Sequence, residues 1–190
     1  MIMKRVILVH RWDGSPDADW YPWLKQELEK RNVKVEIPAM PHPERPEIAS
    51  WVSFLKQSVK QPDHETYFIG HSVGCQTILR YLQTFPSSIR IGGCIFVAGW
   101  FTLAQLETEE ERTTAGPWLT ETFDFNAMKK RKLPFVALFS DDDPFVPIEN
   151  RIIFEKKLGA RVITEPQQGH YNNAAAPRVL HEILALLHLS

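Results

Sequence analysis

With 190 residues the chain has the length of one ordinary domain, enough to bury about 70 per cent of the surface its unfolded form exposes. Its 22 Lys and Arg nearly balance 23 Asp and Glu for a formal charge of −1, so nothing in the charge calls for a nucleic acid or other polyanion as partner. Two cysteines make no disulfide framework, and no apolar run nears the roughly 20 residues of a membrane span, so neither a stapled secreted scaffold nor a membrane protein is expected.

Arg5-Val6-Ile7-Leu8-Val9 reads as the first strand, and the loop His10-Arg11-Trp12-Asp13-Gly14-Ser15 follows it. No secretory signal precedes that strand, and the expected location is cytoplasmic. A helix is predicted over 19–31, with Trp20, Trp23, Leu24 and Leu28 at core-facing spacing. Residues 33–38 alternate like an edge strand of either orientation. The proline-dense stretch 39–46 reads as a loop. A helix over 47–60 carries Ile48, Val52, Leu55 and Val59 on one face. A short apolar run then ends in Gly70-His71-Ser72-Val73-Gly74, with a helix-forming stretch from Cys75 to Leu82 behind it. Residues 92–99 and 133–140 are further buried strands, 160–165 the last one. Helices near 148–158 and 175–188 complete the alternation. Strands alternating with helices imply an α/β domain spanning 1–190, with a mostly parallel sheet and helices on both faces. Cys75 and Cys94 sit in apolar contexts and read as small buried hydrophobes.

Residues 100–127 break the alternation. Glu107, Glu109, Glu110 and Glu111 precede Trp118, Phe123 and Phe125. The segment reads either as a short cap over a site or as a solvated acidic loop anchored by its aromatics. The basic run 129–132 reads as a solvated face, with the acidic segment as a candidate partner.

The chemistry concentrates at residues 70–74, which match G-x-S-x-G between strand and helix. Glycines on both sides let the chain turn sharply and push the serine hydroxyl out over the sheet edge. The bland alternative is a serine capping the following helix. A serine needs a base, and in this architecture acid and histidine follow in that order. Asp141, Asp142 and Asp143 end a buried strand, and the pattern alone allows any of them. His170, in the loop after the last strand, is the candidate base. His71 reads as a filler of the turn; His42, His64, His181 and His188 as loop or helix residues. None has metal-ligand spacing, so neither a metal nor another cofactor is expected. An oxyanion needs donors: the N–H of Val73 at the start of the helix, and one from the loop after the first strand, Trp12 or alternatively Arg11.

These motifs, together with Trp20-Tyr21-Pro22-Trp23-Leu24, Met40-Pro41, Val97-Ala98-Gly99-Trp100, Pro144-Phe145-Val146-Pro147 and Gly169-His170, resemble the small α/β-hydrolases of the YdeN-like and retinoblastoma-binding-protein-9-like serine hydrolase family. The resemblance spans nearly the whole chain. It implies a compact α/β-hydrolase fold and a Ser72–His170–Asp143 triad acting on an ester or thioester of a small acyl substrate, with amides less favoured. It also implies that Asp143, directly before the Pro-Phe-Val-Pro run, is the acid, with Asp142 as second choice and Asp141 as a turn residue. Where that family has His-Gly, this chain has His10-Arg11. The Arg11 side chain could serve a substrate carboxylate or pair with a nearby acid. One namesake of the family binds another protein, so a weakly catalytic binding module is the alternative, although no feature of the sequence indicates a particular protein partner.

Overall fold

Apolar runs and turn residues place six strands in the computed structural model, which describes residues 3–86 and 88–189. In chain order the elements are β1 (Arg5–Val9), α1 (Tyr21–Glu29), β2 (Lys34–Glu36), α2 (Ile48–Val59), β3 (Thr66–His71), α3 (Val73–Gln83), β4 (Gly93–Val97), α4 (Glu109–Thr120), α5 (Phe125–Lys130), β5 (Phe135–Ser140), α6 (Asn150–Ile152), β6 (Arg161–Glu165) and α7 (Pro177–Leu187). A π-helical stretch, Ile153–Leu158, continues α6 and ends at Gly159 in the left-handed conformation.

The strands form one sheet in the order β2-β1-β3-β4-β5-β6, and every pairing is parallel. β2, whose orientation the sequence leaves open, is therefore a short parallel edge strand. The inner strands β3, β4 and β5 are buried at every residue, as expected where helices cover both faces. α1 and α7 pack together, as do α2 and α3. The chain steps outward from β1 to β2, returns to β3 on the other side of β1, and then continues outward. The reversal opens a crevice above the carboxyl ends of β1 and β3, the place where open α/β sheets bind ligands.

The segment over 100–127 is not a loop throughout: it carries α4 and the start of α5. Thr108 and Glu111 form a capping box: the Thr108 hydroxyl accepts from Glu111 N–H and the Glu111 carboxylate accepts from Thr108 N–H. The helix is fastened at its far end. Trp118 is buried and donates its indole N–H to the Pro46 carbonyl at 2.8 Å, and Arg80 of α3 donates to the Glu121 carboxylate at 3.0 Å. Phe101, Phe123 and Phe125 pack as a cluster beside Phe154, with Phe125 edge to face on the other two. Among the described residues no ion pair joins the basic run to the acidic segment. Lys129 instead donates to the Lys156 carbonyl at 2.7 Å, and Arg131 to the Phe85 carbonyl.

Candidate active site

The turn between β3 and α3 is tightly constrained. Ser72 sits at φ 54°, ψ −121°, a left-handed conformation rare for a residue with a side chain. Its hydroxyl makes no cap bond to α3, which removes the reading of Ser72 as a simple helix cap. The flanking glycines are sterically required. A Cβ on Gly70 would lie 2.7 Å from the backbone of Cys75, and one on Gly74 would lie 2.3 Å from the Val9 carbonyl oxygen. Gly74 thus lets the start of α3 press against the end of β1. The N–H of Val73, at the first position of α3, is one of the helix's orphan donors and faces no intrahelical acceptor.

The neighbouring loops supply an imidazole and carboxylates. His170 Nδ1 lies 2.8 Å from Asp143 Oδ2, with both side chains nearly buried. The three consecutive aspartates have separate partners. Asp141 Oδ1 accepts from Gln167 N–H at 2.9 Å, Asp142 Oδ1 from Gly169 N–H at 2.8 Å, and Asp143 holds the ring of His170. Asp142 also accepts from the Ser140 hydroxyl at 2.6 Å. That hydroxyl first, and the Gly169 N–H second, hold the Asp142 carboxyl below its ordinary range. Asp143 Oδ1 is kept in place by the N–H groups of Phe145 and Val146 at 2.9 and 3.1 Å. The ring of His170 is flanked edge-on by Phe145 and on another side by His71, each with centroids 5.3 Å away.

A buried polar chain links β3 to both neighbouring loops. His71 Nε2 faces the His170 carbonyl oxygen at 2.8 Å, so that nitrogen carries the proton. The other nitrogen, Nδ1, therefore accepts from the Tyr21 hydroxyl at 2.7 Å, and Tyr21 in turn accepts from Arg11 N–H at 3.2 Å. Burial, and then the nearby His170, push the His71 pKa well below its usual value and keep the ring neutral. His71 does more than fill the turn: it ties the loop after β1 to the loop after β6.

The loop after β1 is pinned by its own histidine. Met40 N–H donates to His10 Nε2 at 3.1 Å, so His10 Nδ1 carries the proton and donates to the Arg11 carbonyl at 2.8 Å. Gly14 N–H donates to the same carbonyl at 3.1 Å. A planar trans peptide with its carbonyl held on one side presents its N–H on the other. That N–H belongs to Trp12, and it has no intramolecular acceptor among the described residues. The Arg11 N–H is already engaged by Tyr21. The Arg11 side chain is also occupied. Its Nε donates to Asp19 Oδ2 at 2.7 Å, and its Nη1 to the Trp12 and Asp13 carbonyls at 3.0 and 3.3 Å. Arg11 thus clamps the loop to Asp19.

A cleft of about 570 Å³ opens over these groups. Ser72, His170, Trp12 and Trp100 form its floor and sides, while Leu103–Leu106, Thr108, Glu110 and Glu111 bring the 100–127 segment to its rim. Trp100 is 1 per cent exposed and donates its indole N–H to Ser72 Oγ at 3.2 Å. Sequence reasoning missed Trp100 and Tyr21 as site residues. Trp100 was visible only as part of the run after β4, and Tyr21 only as one of several aromatics at the start of α1. Among the described residues no group of three or more His, Cys, Asp or Glu converges as a metal site, and no helix is long and apolar enough to cross a membrane.

Comparison with known proteins shows the family and the fold. The sequence model of the serine hydrolase family matches residues 6–188. The YdeN hydrolase of Bacillus subtilis (strain 168) is 28 per cent identical over 169 residues, covering 88 per cent of this chain and 86 per cent of that protein. The serine hydrolase RBBP9 of Rattus norvegicus is 25 per cent identical over 173 residues, again covering 88 and 86 per cent. The crystal structure of the ydeN gene product from B. subtilis superposes with a TM-score of 0.88 at 24 per cent identity, covering 98 per cent of this chain and all of that one. Est1E from Butyrivibrio proteoclasticus shares the fold with a TM-score of 0.74 at 15 per cent identity, covering 98 and 89 per cent.

Proposed function

The chain belongs to the serine hydrolase family, and from that membership we propose that it cleaves an ester or thioester of a small acyl substrate through Ser72, His170 and Asp143. One observation carries the reading. An imidazole whose Nδ1 is held 2.8 Å from a buried carboxylate lines the same cleft as a serine in a left-handed turn.

With Nδ1–H donating to Asp143, the ring's basic nitrogen is Nε2. Ser72 Oγ attacks the acyl carbon as its proton passes to Nε2. The bond to the leaving group breaks, and the imidazolium returns the proton to the departing alkoxide or thiolate. Water then attacks the acyl-enzyme, giving its proton to Nε2, and Ser72 Oγ leaves and recovers a proton from the ring. Asp143 orients the ring and stabilises its charged form without taking the proton. The N–H groups of Val73 and Trp12 receive the oxyanion, since each is a backbone donor without an intramolecular acceptor beside the nucleophile. The Arg11 N–H is the weaker candidate because Tyr21 already occupies it.

The proposed unit is a single domain over 1–190, with 100–127 as a short cap and a small acyl group as the substrate class. A cytoplasmic, reducing location is consistent with two free, buried cysteines, Cys75 and Cys94. The test is labelling with a fluorophosphonate, which reacts only with an activated serine. Labelling that vanishes in Ser72→Ala supports the reaction. Folded protein that takes no label rejects it and leaves a binding module of the same fold. Turnover of p-nitrophenyl esters of increasing acyl length then measures the pocket.

A further inference from the structure

We propose that Trp100 is a further catalytic residue, whose indole N–H stabilises Ser72 Oγ as that oxygen leaves the acyl-enzyme; the proposal rests on the reaction described above. The contact is built into the fold. Ser72 N–H donates to the Val97 carbonyl at 2.9 Å, so the turn that holds the serine is sewn to the end of β4. The chain leaves β4 through Ala98 at φ 48°, a left-handed conformation unusual for alanine, and two residues later the indole reaches Ser72 Oγ at 3.2 Å. Two strained strand exits, side by side, therefore bring this donor onto the nucleophile.

The choice of acceptor sets Trp100 apart. The indole N–H groups of Trp12, Trp51 and Trp118 each donate to a backbone carbonyl, of Glu44, Pro41 and Pro46 respectively. Trp100 donates to a side chain, and that side chain is the candidate nucleophile. Indole is a donor only, so it cannot take the serine proton. The Ser72 hydroxyl accepts from Trp100 and keeps its own proton.

Such a donor acts unequally on the two half-reactions. In the resting enzyme it already binds a neutral hydroxyl, so it has less to gain when that oxygen attacks. In the acyl-enzyme the same oxygen is the alkoxy oxygen of an ester, a poor acceptor. As water's tetrahedral adduct collapses, the bond between carbon and Oγ breaks and negative charge gathers on Oγ before the imidazolium protonates it. A hydrogen bond that is weak before this step and strong within it lowers the barrier, because only interactions gained in the transition state accelerate reaction. The indole proton stays on the indole throughout.

The variant to make is Trp100→Phe, which keeps a buried ring and removes the N–H. Stopped-flow hydrolysis of p-nitrophenyl acetate separates acylation from deacylation. Deacylation is expected to slow by about tenfold or more, less than the roughly 10²–10³ that a dedicated oxyanion donor contributes, with acylation slowed by less than about threefold. Accumulated acyl-enzyme should then give a more pronounced burst. Deacylation within about twofold of wild type, or equal losses in both steps, overturns the proposal. Should the variant not fold, Ser72→Ala compared with the wild type decides: one indole N–H resonance is expected to move upfield on losing the Ser72 hydroxyl, and an unmoved indole spectrum rejects the contact. Fluorophosphonate labelling of the wild type tests the nucleophile separately. Its absence sinks the reaction itself, whereas normal labelling with unchanged deacylation sinks only the role of Trp100.

Discussion

His71 Nε2 lies 2.8 Å from the backbone carbonyl oxygen of His170, a partner 99 residues further along the chain. The residue before Ser72 thus fixes the height of the loop that carries His170. Tyr21 completes the link, since its hydroxyl binds His71 Nδ1 and accepts from Arg11 N–H. Tyr21→Phe leaves both of those groups buried without a partner. The expected cost is about 1–3 kcal/mol, read as a lower urea midpoint. Because the ring of His170 is then held less firmly, kcat is expected to fall with KM little changed. A variant of full stability and full kcat would remove His71 from any positioning role.

The same buried histidine gives stability an acid limit. His71 is wholly buried and neutral, and burial, followed by the neighbouring His170, holds its folded pKa well below the usual 6.5. The unfolded chain therefore binds a proton that the folded chain refuses. Stability rises with pH wherever the unfolded state binds more protons, so this contribution is complete above about pH 6.5 and is lost as pH falls below it. His10 adds in the same direction, its pKa lowered chiefly by burial. Urea denaturation from pH 7.5 to 5 is expected to show falling midpoints below about pH 6.5, with a slope near 1.4 kcal/mol per pH unit for each such group. A flat profile across that range would count against the burial of both rings as neutral groups.

Much of this site was legible because each motif is a local physical demand. Gly70 and Gly74 are needed for contacts that any reader of G-x-S-x-G anticipates, and His170 follows the last strand as chain order requires. The apolar runs gave the inner strands because parallel strands buried on both faces tolerate little else. Two features stayed hidden. α4 lacks a strong apolar stripe, and only its capping box marked it as a helix. Trp100 and Tyr21 matter through the atoms they touch in three dimensions, and aromatic residues beside a strand or in a first helical turn look like core.

The aspartate triplet separates three jobs that look identical in sequence. Asp143→Asn should mis-set the tautomer of His170 and lower kcat by as much as about 10⁴, while leaving the protein folded. Asp142→Asn removes the charge that accepts from Ser140 Oγ and Gly169 N–H, and a smaller kcat loss is expected through a looser histidine loop. Asp141→Asn, on an exposed position that holds only Gln167 N–H, should change turnover little. Steady-state kinetics on one p-nitrophenyl ester ranks all three, and equal losses at Asp141 and Asp143 would overturn the assignment.

Gly74→Ala tests whether the approach of α3 to β1 is obligatory. The new methyl would sit 2.3 Å from the Val9 carbonyl oxygen and 2.8 Å from that of His10, and both obstacles are backbone. No side chain can swing aside, so α3 must shift. Overpacking of this kind costs about 1–3 kcal/mol. The shift also moves Val73 N–H relative to Trp12 N–H, so activity is expected to fall by more than the stability loss explains. Thermal unfolding together with kcat/KM checks both halves of that statement.

The capping box of α4 connects a weak local interaction to substrate choice. Thr108, Glu110 and Glu111 line the cleft, and the Thr108 hydroxyl is what holds Glu111 N–H in the first turn. Thr108→Ala removes that bond, at a cost of about 1 kcal/mol to the helix start. The far end of α4 stays fastened through Trp118 and through Arg80 with Glu121, so only the turn over the cleft should fray. A short acyl group at Ser72 would reach little of this rim, and its kcat/KM is expected to change little. Longer acyl groups extend toward Leu106 and Thr108, and their KM should rise. A p-nitrophenyl ester series from acetate to octanoate, run on both proteins, checks this. A uniform change at every chain length would mean that the first turn of α4 does not shape the acyl pocket.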